Sequence, residues 1–183
     1  MEQDDSVFVI GEDVAGCSGS AGDVGAVGGV FGVTEGIYHR WPDRCIDTPI
    51  SESAIVGAAA GAALVGMRPV AEIMFADFIG VCMDQIVNQM AKFRYMFGGK
   101  SRCPAVIRFS SGGGFSAAGQ HSQAMYQVMT SFPGLKVVVP SNAYDAKGLM
   151  LSAIQDDDPV LFFEPKILYL SLIHISEPTR RIT

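Results

Sequence analysis

Five short runs of β-branched and aromatic residues, at positions 7–10, 69–74, 104–109, 136–139 and 159–163, recur along this 183-residue chain. Longer, helix-patterned stretches separate them. A strand that is apolar at successive positions has to be covered on both faces, and long connections are what parallel pairing requires. The pattern therefore predicts an α/β fold, one parallel sheet with helices on both faces. Helices are predicted over about 51–67, 77–95, 122–132 and 144–155, with a short one from 34 to 38 that ends at Trp41-Pro42. Hydrophobic residues make up 49% of the chain and charged ones only 17%, which suits one core-rich domain with part of its surface covered by something else. In such sheets ligands bind beyond the carboxyl ends of the strands. Those ends are predicted at Glu12, Phe75, the Gly112-Gly113-Gly114 loop and Ser141.

Several function classes drop out. The formal net charge is −6, whereas a nucleic-acid partner calls for a basic face. The longest apolar stretch, 54–67, ends at Arg68 and is shorter than the roughly 20 residues of a membrane span. Cys17, Cys45, Cys82 and Cys103 stand far apart, with no zinc spacing and no CxxC pair. Reduced, buried thiols in a cytoplasmic protein are expected, and the acidic N-terminus does not read as a signal peptide. Gly98-Gly99-Lys100-Ser101 is not a P-loop, because Arg94 occupies the place of its first glycine. No GxGxxG opens a helix directly after a strand, and neither HExxH nor GxSxG occurs.

Both ends read as cut. No complete helix precedes the first strand, so the chain is expected to begin inside a longer reading frame. The segment 170–180, Leu-Ser-Leu-Ile-His-Ile-Ser-Glu-Pro-Thr-Arg, matches no element that the domain needs and reads like a translated sequencing adapter. The expected domain is 1–169, with 170–183 a non-native tail.

Glu52 is the most informative single residue. It opens a predicted helix whose next fifteen residues carry no charge. A carboxylate in a first helical turn is favoured by the macrodipole by about 0.3–1 kcal/mol, which is a sufficient structural reason for it. The helix nevertheless reads as wholly buried, and a buried carboxylate needs a dedicated partner or a raised pKa. Gly57 and Gly61, at one helical spacing, make sense if another backbone packs closely there. His121 follows the second glycine-rich loop at the ligand-facing rim, although loop histidines are often solvated or capping. Phe78 would ordinarily count as core, and Asp156-Asp157-Asp158-Pro159 as a solvated turn.

A set of motifs in a fixed order adds a resemblance. They are Ile10-Gly11-Glu12-Asp13-Val14, Gly29-Val30-Phe31-Gly32-Val33-Thr34, Asp47-Thr48-Pro49-Ile50-Ser51-Glu52, Asp84-Gln85-Ile86-Val87-Asn88-Gln89, Gln120-His121-Ser122-Gln123, Pro133-Gly134-Leu135-Lys136-Val137-Val138 and Asp145-Ala146-Lys147-Gly148-Leu149. Over about 6–169 the chain resembles the beta subunit of thiamine-diphosphate-dependent 2-oxo acid dehydrogenases of the pyruvate and acetoin type. The resemblance implies a transketolase-like, pyrimidine-binding domain. It also implies oxidative decarboxylation of a 2-oxo acid, pyruvate favoured, with acyl transfer to a lipoyl group, the alternative being an acetoin dehydrogenase beta subunit. Glu52 is then the carboxylate that bonds a ring nitrogen of the cofactor pyrimidine, and Ile50 and Phe78 pack against that ring. His121 matches the histidine that serves acyl transfer, and an imidazole is a side chain suited to proton traffic near neutral pH. Magnesium is implied mainly in a partner alpha subunit. A potassium-type cation is implied at Ala105, Ala153, Asp156 and Asp158, although Asp158 stands where that family commonly has Asn. The implied partners are the alpha subunit, a second beta subunit in an alpha2-beta2 assembly and a lipoyl acyltransferase core. The family's second domain is absent from this chain, so the chain alone is expected to be inactive. An inactive fragment or another transketolase-like enzyme is the alternative.

Overall fold

The computed structural model describes residues 1–16, 28–114 and 116–169. The expectations for Cys17, most of the first glycine-rich stretch and the tail 170–183 lie outside the described residues. Six strands form one sheet: β1 (Val7–Glu12), β2 (Cys45–Thr48), β3 (Arg68–Phe75), β4 (Val106–Ser111), β5 (Lys136–Val138) and β6 (Val160–Pro165). Every recorded pairing is parallel, in the order β2-β1-β3-β4-β6-β5. The helices are α1 (Ile37–Arg40), α2 (Glu52–Leu64), α3 (Phe93–Met96), α4 (Tyr126–Met129), α5 (Ala143–Gln155) and α6 (Lys166–Tyr169).

Alternation along the strands divides the core into two layers. Phe8, Ile10, Ala71, Ile73, Ile107, Phe109, Leu161 and Phe163 pack against Ile55, Val56, Ala59 and Ala63 of α2 and against Ile79, Ile86 and Met90. Phe109 and Phe163 stack here, with ring centroids 4.8 Å apart. On the opposite face Val7, Val9, Val70, Val106, Val160 and Phe162 meet Met150, Ala153 and Ile154 of α5.

Several expectations need correction. β1 runs through Gly11 to Glu12 rather than stopping at Gly11, and β2 is an edge strand that the apolar pattern missed because it is four residues long with Asp47 inside it. The stretch 77–95 is not one helix. It is a 3-10 segment at Ala76–Gly80, a π turn at Gln85–Met90 and then α3. Of the predicted helix over 122–132 only α4 is helical. α2 is not wholly buried: Ala54, Ala58, Gly61 and Leu64 are exposed, and a Cβ on Gly61 would meet nothing within 4 Å. Close packing at Gly61 therefore does not come from the described part of this chain.

The turn at Asp156-Asp157-Asp158 is an ion-pair hub rather than a solvated turn. Arg68 and Arg102 reach Asp157 at 2.9 and 2.8 Å, Arg94 reaches Asp158 at 3.0 Å, and Lys136 lies 2.7 Å from Asp156. These basic residues come from different elements, so the hub ties β3, α3 and β5 to the amino end of β6.

Candidate functional site

The site lies at the carboxyl ends of the strands. Ser51 precedes α2, and its backbone carbonyl accepts the N–H groups of Ala54 and Ile55 at 3.0 Å. This sets Glu52 in the first turn, where the helix dipole favours an anion. Ser53 Oγ donates to the Val81 carbonyl at 2.7 Å and so fastens the start of α2 to the end of the 3-10 segment that carries Phe78. The Glu52 carboxylate is half-buried, and among the described residues no hydrogen bond or ion pair reaches it. Its charge is felt nearby. Burial pushes the Cys82 thiol up to about 12, with a further contribution from Glu52. Burial also raises the Glu12 carboxyl, reinforced by the charges of Asp13, Glu52 and Glu72.

A bulge shapes the adjoining wall. The β3–β4 register slips between Ile73 and Phe75, and the Ser110 hydroxyl donates to the Met74 carbonyl at the slip. Phe75 sits edge-on to Phe78, with centroids 6.0 Å apart, and to His121 at 4.4 Å. Phe78 and His121 are 5.4 Å apart, again edge to face. The structure thus brings His121 and Phe78 together through Phe75, and links Phe78 to Glu52 through the Ser53–Val81 bond. Ile50 is 74% exposed in the turn between β2 and α2, with its side chain available to a planar group. A half-buried carboxylate without a partner among the described residues, at the same end of the sheet as these aromatic and aliphatic side chains, suits a flat heterocycle that offers an N–H or ring nitrogen. The residues present fit an aminopyrimidine.

The expected cation residues gather at the opposite, amino end of the sheet. The Ala105 carbonyl accepts the Val160 N–H at 3.0 Å, and the Ala153 carbonyl accepts the Asp156 N–H at 3.2 Å. Lys136 Nζ donates to both Asp156 carboxylate oxygens at 2.7 Å and lies 3.4 Å from Asp158. An ammonium group already occupies the carboxylate that a potassium-type ion would use. No trio of His, Cys, Asp or Glu side chains suited to a metal occurs among the described residues.

Sequence reasoning missed a buried charged network. Arg108 on β4 donates through Nε to Glu164 Oε1 at 2.9 Å and through Nη2 to Glu164 Oε2, while Nη1 meets Glu72. The Tyr169 hydroxyl donates to Glu164 Oε2. Burial alone would lower the Arg108 pKa, but Glu164 and Glu72 outweigh it, so the guanidinium stays charged. One guanidinium serves two carboxylates, and burial pushes the Glu72 carboxyl up despite the opposing pull of Arg108. The signal was a charge inside each of three neighbouring apolar strands. Phe31 lies 5.3 Å from the Tyr169 ring and 6.0 Å from Phe75, which joins this network to the aromatic wall.

Comparison with known proteins gives a consistent set of likenesses. The family described as "Transketolase, pyrimidine binding domain" matches residues 1–170. The acetoin:2,6-dichlorophenolindophenol oxidoreductase subunit beta of Cupriavidus necator is 60% identical over 169 residues, covering 92% of this chain and 50% of that protein. The pyruvate dehydrogenase E1 component subunit beta of Rickettsia bellii is 46% identical over 178 residues, covering 97% of this chain and 52% of that protein. The chain spans about half the length of the curated relatives it matches. A solved structure titled split gene transketolase, inactive beta4 tetramer, superposes with a TM-score of 0.63 at 22% identity, over 88% of this chain and 45% of that one, a likeness of fold.

Proposed function

The chain belongs to the transketolase pyrimidine-binding domain family, and on that premise we propose that it is the cofactor-gripping part of the beta subunit of a thiamine-diphosphate-dependent 2-oxo acid dehydrogenase. The observation that carries this reading is the Glu52 carboxylate, half-buried at the start of α2 with no partner among the described residues, its helix start tied by the Ser53–Val81 hydrogen bond to the segment whose Phe78 packs with Phe75 and His121. Thiamine diphosphate, when bound, would supply an electron sink for cleavage of the carbon–carbon bond beside the substrate carbonyl, with loss of carbon dioxide from a 2-oxo acid or of acetaldehyde from acetoin. Glu52 holds a proton at a pyrimidine ring nitrogen, while Ile50 and Phe78 pack on the ring and keep water from it. His121 carries protons at its imidazole during acyl transfer to a lipoyl group. The remaining half of the site belongs to a partner alpha subunit, which also holds magnesium. A second beta subunit and a lipoyl acyltransferase core complete the assembly, in the cytoplasm. The domain is 1–169, and 170–183 is a non-native tail.

A potassium-type ion at Ala105, Ala153, Asp156 and Asp158 has to displace Lys136 from Asp156. For the substrate, pyruvate and acetoin both stand. The higher identity to the acetoin enzyme subunit, 60% against 46%, favours acetoin.

The test uses the full-length beta subunit assembled with its alpha partner. Glu52→Gln keeps the shape of the side chain and removes its charge and basicity. Turnover of pyruvate, branched 2-oxo acids and acetoin is expected to fall about a hundredfold or more, with the melting temperature kept. Undiminished turnover by that variant would overturn the proposal.

A further inference from the structure

Lys166 is a lysine with almost no water. It opens α6 directly after β6, and only 2% of its surface is exposed. A buried ammonium is costly unless its donors are used. Here Nζ donates to the backbone carbonyl of His121 and stands 5.0 Å from the Phe75 ring centroid, a cation–π placement. Burial lowers the Lys166 pKa, and the nearby Asp77 charge opposes that fall. Asp77 acts on the same loop two residues further on, since its Oδ1 accepts the Gln123 N–H at 3.2 Å. The Gln123 carbonyl in turn accepts the Gly112 N–H at 3.1 Å, closing the loop that leaves β4.

The loop so held is not relaxed. Ser116 and Ala118 have φ of 57° and 58°, a region that costs a residue with a side chain about 1–3 kcal/mol. Such a conformation persists only where surrounding contacts fix it. The carboxyl-terminal part of the loop is held by a cation at residue 121 and an anion at residue 123, each following a core strand. His121 carries the first of these contacts on its own carbonyl and has its ring against Phe75 and Phe78.

We propose that Lys166 and Asp77 are positioning residues, an oppositely charged clamp on the backbone at and just after His121, through the His121 carbonyl and the Gln123 amide, that fixes its imidazole at the aromatic wall. This rests on the reading of His121 as a working group of the site. Neither clamp residue touches the reacting atoms. Lys166 acts through a carbonyl and Asp77 through an amide, so their effect is on the placement of the ring and not on its chemistry.

Hydrogen exchange on the 183-residue chain and kinetics on the assembled enzyme test the clamp separately. Lys166→Met fills the same space without a donor. It is expected to lower protection of the Gly112 and Gln123 amides about tenfold while protection in β1, β3 and β4 is kept. Lys166→Arg, which keeps a charged donor, is expected to restore that protection. In the assembled enzyme Lys166→Met should lower kcat about tenfold with the half-saturating thiamine diphosphate concentration unchanged, and Lys166→Arg should recover most of it. Unchanged loop protection and unchanged kcat in a folded Lys166→Met chain overturn the clamp. If the strands of that variant lose protection, Asp77→Ala decides: protection lost at Gly112 and Gln123 supports the clamp, and protection kept overturns it. Absence of thiamine-dependent turnover in the parent assembly overturns the reading of the site, and the exchange arm then decides the clamp alone.

Discussion

Gly11 on β1 lies opposite Glu72 on β3, and a methyl group placed on Gly11 would come within 2.9 Å of Glu72 Cβ and of Val14 Cγ1. The missing side chain on one strand is the room that the stem of Glu72 on the next strand and the Val14 side chain occupy. Gly11→Ala is expected to destabilise the fold by about 1–3 kcal/mol, the usual cost of overpacking. Urea unfolding followed by circular dichroism measures it. A change below about 0.5 kcal/mol would mean that the two strands separate easily at this point.

Arg108 neutralises Glu72 and Glu164 in a place with little water. Replacing it by Met leaves two carboxylates buried with no cation, and the loss is expected to reach about 3–5 kcal/mol. Replacing all three charged residues together by apolar groups of similar volume should recover much of that loss, since the partners are then removed as well. The same unfolding measurement, run on the single and triple variants, separates the worth of the pair from the penalty of breaking it.

Two carboxyls are expected to move stability with pH in opposite senses. Burial and the neighbouring acids raise Glu12 above its ordinary 4.5, so its charged form opposes folding at neutral pH and that opposition vanishes below 4.5. Burial would raise Asp156 too, but hydrogen bonds from Lys136 and from the Asp158 backbone outweigh it and hold the carboxyl below its ordinary 3.8. Its contribution is therefore complete above 3.8 and is lost as pH falls through the lower folded value. Glu12→Gln should raise the melting temperature at pH 7 and have no effect near pH 4. Asp156→Asn should lower it at pH 7, and the difference should shrink in stronger acid. Scanning calorimetry across that range checks both signs.

The sheet was legible because the periodicity of strands is short and their cover is complete. The runs at 69–74, 104–109 and 159–163 all fall within or overlap β3, β4 and β6. The place of Glu52 at the start of α2 was legible for the opposite reason, as a lone charge before an uncharged helix. What remained hidden depends on pairs rather than patterns. Arg108 reads as an interruption until Glu72 and Glu164 are known to flank it on neighbouring strands. The break in 77–95 was invisible because the same apolar spacing serves 3-10, π and α turns until tertiary contacts choose among them. Lys166 follows a proline at a strand end, where a lysine is ordinarily solvated, and only the fold sinks it beneath His121.

In chain order β6 comes after β5, yet in the sheet it lies between β4 and β5. A ribosome therefore delivers β1, β2, β3 and β4 as a contiguous platform and then β5 with no neighbour to pair with. Until β6 emerges, the β4 edge with Ile107 and Phe109 stays uncovered, open to chaperones or to pairing with another chain. The arrival of β6 then does several things at once. It closes the gap, delivers Glu164 to Arg108 and places Lys166 under His121. Completion of the sheet and assembly of the His121 side of the site are thus one late event during synthesis, and a nascent chain stalled before β6 would hold Glu52 but lack an ordered histidine loop.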